Sequence, residues 1–542
     1  MKQGSAIFWF RQDLRLADNP GLLAAVKWAT ENNGDVIPVY IWAPDEEGTW
    51  PAGGATKVWL HQSLKALAAE IAKLGSRLRL FEAGRKTSSK SSQKGSQKDS
   101  ASASNDKNPQ SSLSILQGLA EKLGVGAVFW NRRYEPSAIA RDQEIKSTLR
   151  ASGLVVETFN GALLLEPWQV ATKEGKPYQV FTPYWRTCLD QIQVELEPPL
   201  KAPKRIASKG IAPNEMAPEK LASKNLTSTN IEKLSLECTL EELQLLPDIK
   251  WEKGITESWT PGEQGALKQL DKFLQDGLDD YSEMRNRPDI EGVSRMSPHL
   301  HFGEISPRSL WFIVKEKAEH FKNEKSKAAA LSYLREVGWR EFSHHLLYYF
   351  PQTPTEPLRG DFKLFPWTHN PTALKAWQKG LTGYPIVDAG MRELWHTGIM
   401  HNRVRMIVAS FLVKHLRLHW LAGAKWFWDT LVDADLAQNT MGWQWSAGCG
   451  ADAAPYFRVF NPILQGEKFD TDGAYVRKWV PELAKMKSKY IHKPWEAPPL
   501  ELIAAGVTLG ENYPLPIVEH GEARNLALAA FQKLKESRAG VK

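Results

Sequence analysis

Arg405 lies in residues 383–414 (GYPIVDAGMRELWHTGIMHNRVRMIVASFLVK), where Val404, Ile407, Val408, Phe411 and Leu412 recur at helical spacing. That spacing buries one face of a helix and sets the guanidinium beside it, where a permanent charge needs an anion. Residues 433–462 (DADLAQNTMGWQWSAGCGADAAPYFRVFNP) offer the complement, Asp433 and Asp435, two carboxylates in otherwise apolar sequence and costly to bury unpaired. Opposite charges inside aromatic-rich core sequence point to a buried polar ligand. Arg405 with one of these carboxylates, taken alone, would be an internal salt bridge, which a guanidinium fork suits better than lysine.

Two other segments carry groups of this kind. In EGVSRMSPHLHFGEISPR the hydroxyls of Ser294 and Ser297 and nearby amides could face a pyrophosphate if a helix begins there. A Ser-x-x-Ser by itself is an ordinary helix cap. SYLREVGWREF places Glu336 and Trp339 three residues apart, on one face if the segment is helical. The chain holds 22 tryptophans, most of which serve as core and packing, although closely spaced indoles are also readily oxidised in sequence. Cys188, Cys238 and Cys449 lie far apart with no metal-ligand or CxxC pattern, so no metal is expected.

The elements that must position these groups fall into two domains, as 542 residues, 42% of them apolar, suggest. Residues 6–10, 36–42, 77–81, 127–131 and 155–159 read as strands. Helical periodicities between them, as at Leu60, Leu64, Leu67, Ile71 and Leu74, predict a Rossmann-like parallel sheet with crossover helices. The first strand runs into FRQDLRLADNP and lacks GxGxxG, so this domain need not bind a dinucleotide. The predicted organisation is an α/β domain over 1–165, a linker over 166–258 and an all-α domain over 259–542. A Ser, Lys, Gln and Asn tract at 85–112 has too little apolar surface to offset its ordering entropy and reads as a disordered insertion. The last helix is expected over 522–537.

A formal charge of +7 suits a polyanionic partner without requiring one. No signal peptide and no apolar run long enough to span a bilayer is present, so an intracellular, cytoplasmic protein is expected.

From IFWFRQDLRLADNP to YPLPIVEHGEAR the chain closely resembles the photolyase/cryptochrome family of blue-light flavoproteins, across long segments that a short motif would not reproduce. The resemblance implies FAD, with Tyr281, Ser294, Arg295, Met296, Ser297 and Arg340 along its phosphate and ribityl region. It places Asn402, Arg405, Asp433, Asp435 and Asn439 around the isoalloxazine and adenine. Val293 stands where the family usually has threonine, which removes one hydroxyl. Trp443, Trp420 and Trp367 are implied as an electron path from flavin to surface. Glu336, Trp339, Met406 and Trp445 are implied as a pocket for a damaged pyrimidine pair, and Arg285, Arg403 and Gln465 as contacts to flanking DNA.

Six-four photolyases carry two histidines where this chain has Asn402 and Met406, so the resemblance implies repair of cyclobutane pyrimidine dimers in UV-damaged DNA. Asn439, where plant cryptochromes have an acid, and the lack of a long C-terminal extension favour repair over a signalling photoreceptor. Within the family the chain looks more like the plant-cryptochrome-related class III branch than class I. Ser137 and Ala138 replace the Asn-Glu pair with which class I enzymes hold methenyltetrahydrofolate. Class III relatives bind folate otherwise, so folate remains the expected antenna, ahead of a deazaflavin or none. A monomer with no obligate protein partner and no membrane association is expected.

Overall fold

Five parallel strands make up most of the sheet, the middle three of them buried on both faces. In the computed structural model, which describes residues 4–84, 110–206, 237–453 and 458–539, they are β1 (Ala6–Phe10), β2 (Val36–Trp42), β3 (Arg79–Glu82), β4 (Ala127–Asn131) and β5 (Val155–Phe159). A sixth, β6 (Glu237–Cys238), pairs antiparallel with β3, giving the order β5-β4-β1-β2-β3-β6. On β1 the alternation of side chains divides two cores. Phe8 and Phe10 pack with Leu22, Val58 and Trp59 from the helices Pro20–Glu31 and Gly54–Lys73. Ile7 and Trp9 pack with Leu116, Ile145 and Leu149 from the helices Ser112–Leu123 and Pro136–Ala151. Helices on both faces are what a buried parallel sheet requires.

From Glu263 onward the named elements are helices, centred on Glu324–Tyr349 and on the pair Asn402–Ser410 and Leu436–Ala447. The turn at 303–308 keys this domain to the sheet. Gly303 has φ 64°, and a Cβ there would lie 2.2 Å from the Gln12 carbonyl oxygen. Arg15 donates to the Gly303 carbonyl at 2.9 Å, Arg308 pairs with Asp18, and Trp59 Nε1 donates to Glu304 at 3.0 Å.

Several expectations change. The third strand begins two residues later than its apolar run. Residues 85–109 of the Ser/Lys tract lie outside the described residues. Its end, 110–112, does not: Ser111 caps the helix Ser112–Leu123, and Ser112 donates from both backbone and hydroxyl to Glu46. The span expected as linker carries the helix Phe181–Glu195, whose Phe181, Tyr184, Trp185 and Cys188 join the helical core, and also β6. Residues 207–236 lie outside the described residues. The helical run at 383–414 is divided into Pro385–Thr397 and Asn402–Ser410, because Gly398 takes φ 69° and closes the first helix. The last helix is longer than expected, His520–Ala539.

Candidate functional site

Breaking the 383–414 run at Gly398 turns Asn402–Ser410 to face Leu436–Ala447, and between them and Glu324–Tyr349 opens a cavity of about 920 Å³. That is the upper part of the range for cofactor sites. Its lining includes Tyr281, Ser294, Arg295, Met296, Ser297, Arg340, Asn402, Arg405, Asp433, Asp435 and Asn439, together with Arg285, Glu336, Trp339, Arg403, Met406, Trp443 and Trp445. Gln465 is not among the lining residues. It sits on the helix Pro462–Phe469, whose Phe469 ring lies 4.5 Å beneath the Arg403 guanidinium, and so belongs to the outer rim.

The deep wall is organised by charge. Arg405 Nη2 donates to both Asp433 oxygens, at 3.0 and 2.9 Å, while its Nε donates to the Met400 carbonyl. Ser297 donates its hydroxyl to the same carboxylate at 2.6 Å. The helix that starts at Ser297 runs only to His301. Asp435 caps Leu436–Ala447 by accepting from Gln438 N at 2.9 Å, with His344 Nε2 at 3.5 Å. Burial acts to raise the Asp435 pKa, but His344, His301 and Arg340 outweigh it and hold the carboxyl below the usual range. Asn439 donates to the Ala424 carbonyl at 3.0 Å, which fixes the amide at the cavity wall.

Arg295 takes φ 54°, a left-handed conformation rare for a side-chain-bearing residue, and lays its guanidinium 3.9 Å over Trp259. Arg340 donates to the Ala162 carbonyl at 2.7 Å, tying the cavity to the sheet domain. Burial raises the neighbouring Glu341 to about 7, although it accepts from Leu164 N and Leu165 N. His401 was not singled out by the sequence. Its Nδ1 accepts from Arg403 N, so Nε2 bears the proton, and burial with Arg403 and Arg405 lowers its pKa to about 4.

The outer wall is looser. Glu336 pairs with Arg285 at 2.7 Å, both about a quarter exposed, so two residues expected to act separately on DNA hold each other. Arg403 is held by Asn286 at 2.6 Å. Trp339 lines the cavity with one face stacked on Phe181, ring centroids 3.6 Å apart and nearly parallel. Phe181 lies 158 positions earlier, in the expected linker, and nothing local to it signals that role. Trp443 faces the cavity against Phe427 at 5.0 Å and Trp377 at 6.1 Å; Trp420 is fully buried and Trp367 half-buried, and neither lines the cavity.

The donor set fits a large anionic ligand. Arg340 Nε, His401 Nε2 and Trp443 Nε1 are buried in the lining with no partner among the described residues. Unmet donors of this kind call for acceptor atoms from elsewhere.

The chain matches known proteins along its length. Residues 6–204 match the family described as DNA photolyase, and 333–533 match the FAD binding domain of DNA photolyase. It is 46% identical to the deoxyribodipyrimidine photo-lyase of Agrobacterium fabrum over 99% of both chains. To cryptochrome-1 of Arabidopsis thaliana it is 38% identical over 96% of this chain and 69% of that one. The crystal structure of a bacterial class III photolyase from Agrobacterium tumefaciens superposes with a TM-score of 0.83 at 44% identity, covering 99% of this chain and 98% of the other.

Proposed function

The chain belongs to the photolyase/cryptochrome family, and on that premise we propose that it is a deoxyribodipyrimidine photo-lyase that splits cyclobutane pyrimidine dimers in DNA under light. The observation that carries this reading is one cavity with a buried ionic wall and an aromatic mouth. Bound in its reduced form, FAD would supply the light-driven, returnable electron that opening of the cyclobutane ring requires.

The protein's own part is binding, orientation and exclusion of water. Tyr281, Ser294, Arg295, Met296, Ser297 and Arg340 would hold the phosphate and ribityl side, with His401 and Arg340 supplying the free donors. Asn402, Arg405, Asp433, Asp435 and Asn439 would surround the rings; a neutral amide at Asn439 is compatible with a reduced, anionic flavin. At the mouth, Trp339 backed by Phe181 would receive a flipped dimer, with Trp445 as a second wall and Met406 beneath. Glu336 would exchange Arg285 for a hydrogen bond to the dimer, freeing Arg285 beside Arg403 for phosphates on either side. Trp443, Trp420 and Trp367 would refill an oxidised site with electrons from the surface.

Among the described residues no helix is long and apolar enough to cross a membrane. The same reading makes the protein an intracellular monomer that meets DNA without a protein partner. Methenyltetrahydrofolate is proposed as its antenna in the sheet domain, and the near-ultraviolet absorbance of the purified protein separates it from a deazaflavin or none. The function itself is tested by incubating a dimer-containing oligonucleotide with purified protein. Repair under blue light and none in darkness supports the reading, and no light-dependent repair by flavin-loaded protein overturns it.

A further inference from the structure

Trp420 opens the helix Trp420–Thr430, and the residue before it, His419, is that helix's N-cap: its Nδ1 accepts from Leu421 N at 3.2 Å. The same imidazole lies 5.7 Å from the Trp420 ring, nearly parallel to it, and 5.2 Å from the Trp367 ring. Trp367 is held in place on a facing segment by its neighbour Thr368, which donates to the Arg417 carbonyl at 2.8 Å and the Leu416 carbonyl at 2.7 Å. Trp443 is anchored against this helix too, for a Cβ at Gly423 would lie 2.0 Å from its ring. One helix thus carries Trp420, seats Trp443 and, through its cap, touches Trp367.

We propose that His419 is a positioning residue of the tryptophan path, a neutral imidazole wedged between Trp420 and Trp367 that sets their approach and whose protonation shuts the passage between them. The proposal rests on the reading that Trp443, Trp420 and Trp367 form that path. In the step concerned, Trp367 gives one electron to oxidised Trp420. Trp420 returns to its neutral state, Trp367 carries the positive hole, and its indole proton is released to water. His419 cannot take that proton while it caps the helix, because Nδ1 is occupied as an acceptor and Nε2 already bears hydrogen.

Three influences keep the ring uncharged. A cap needs the Nδ1 lone pair, the helix N-terminus is the positive end of its dipole, and burial penalises the cation. Titratable neighbours in the chain are Lys414, His415 and Arg417 on its own segment, Lys363 and His369 on the facing one and Lys425 on the helix. Burial, not a facing charge, is the cause that lowers the His419 pKa. An imidazolium here would repel a hole on either indole and would also release the cap.

The test is transient absorption of the tryptophan radical in FAD-loaded protein across pH, alongside NMR titration of the His419 ring in cofactor-free protein. Radical yield in the unsubstituted protein should fall on the acid side by about tenfold, a conservative scale for one unit charge at this separation. That fall should follow the NMR-measured pKa. His419→Asn keeps a capping side chain and removes the ring, so it should give a lower yield that no longer varies across that pH range. His419→Asp, a cap with a negative charge, should raise the yield at acid pH. Repair by chemically reduced protein should be unchanged in both variants. Equal yields and equal pH profiles in His419→Asn and the unsubstituted protein would overturn the proposal. Normal photoreduction in Trp420→Phe would overturn the path reading itself, and this inference with it.

Discussion

Arg405 and Arg285 are both cavity arginines paired with a carboxylate, yet the Asp433 side chain that Arg405 grips is 4% exposed and the Glu336 that Arg285 reaches is 28% exposed. Asp433 is also bound by Ser297, and Arg405 by the Met400 carbonyl, so neither has a cheap alternative partner. Around Arg285 and Glu336 water can replace either member, and such pairs are worth little. The deep wall is therefore fixed before any ligand arrives. The outer wall is held by contacts that a ligand can exchange, as expected for a site that binds one group permanently and another transiently.

Breaking the deep pair should have the largest effect. Arg405→Met leaves Asp433 buried without its counter-ion, which typically costs about 3–5 kcal/mol. The variant should lose most of its FAD and melt well below the unsubstituted protein; absorbance and calorimetry measure both, and full flavin content at an unchanged Tm would place the ligand elsewhere.

Acid should weaken the same wall. His401 has a folded pKa of about 4 against an ordinary 6.5, so its contribution is complete above 6.5 and is lost as pH falls from there toward 4. Folding stability, read as Tm against pH, should decline through that window, and His401→Gln should flatten the decline. An identical pH dependence in the variant would remove His401 as its cause.

The outer wall sharpens the contrast. Trp339→Ala should cost roughly 1–3 kcal/mol of affinity for dimer-containing DNA, with little change for undamaged DNA. Phe181→Ala should act in the same direction and more weakly, because it removes the backing of the ring and not the ring. Both should keep their FAD; release of flavin by Trp339→Ala would erase the division between the walls. Smallest is Arg285→Gln, which should change folding stability by less than about 1 kcal/mol and lower the salt dependence of DNA binding by about one phosphate contact.

Much of the deep wall was legible in sequence. Arg405 and the carboxylates Asp433 and Asp435 stood out because no such charge is tolerable alone in so apolar a context, and the family resemblance singled out Asp433 as the partner. Four of the five expected strands have the expected bounds; three of them, Ala6–Phe10, Val36–Trp42 and Ala127–Asn131, are buried on both faces and leave a continuous apolar run, whereas β6 has two residues, too few to show any period. The outer wall was less legible because its partners are distant in the chain. Glu336 and Trp339 were found through the family resemblance, their helical spacing alone reading as an ordinary amphipathic helix; Phe181 beneath the indole becomes visible only when the helix Phe181–Glu195 docks, and Arg285 against the carboxylate only when the turn after Tyr281–Met284 packs on Glu324–Tyr349. Gln465 was expected in the site and lies on its rim, since a helix of eight residues fixes only which of its faces turns inward. His419 escaped because its ring contacts depend on a cap geometry and on a segment some fifty residues away.

The claim that this cavity repairs cyclobutane dimers rests on Glu336 and Trp339 being present and on Asn402 and Met406 offering no ionisable group. The most direct measurement is photorepair quantum yield on matched oligonucleotides carrying either a cyclobutane dimer or a six-four photoproduct, with chemically reduced protein. Efficient repair of the first and none of the second is the predicted result. Efficient repair of the six-four photoproduct would contradict it, because that chemistry needs a proton donor that Asn402 and Met406 cannot supply.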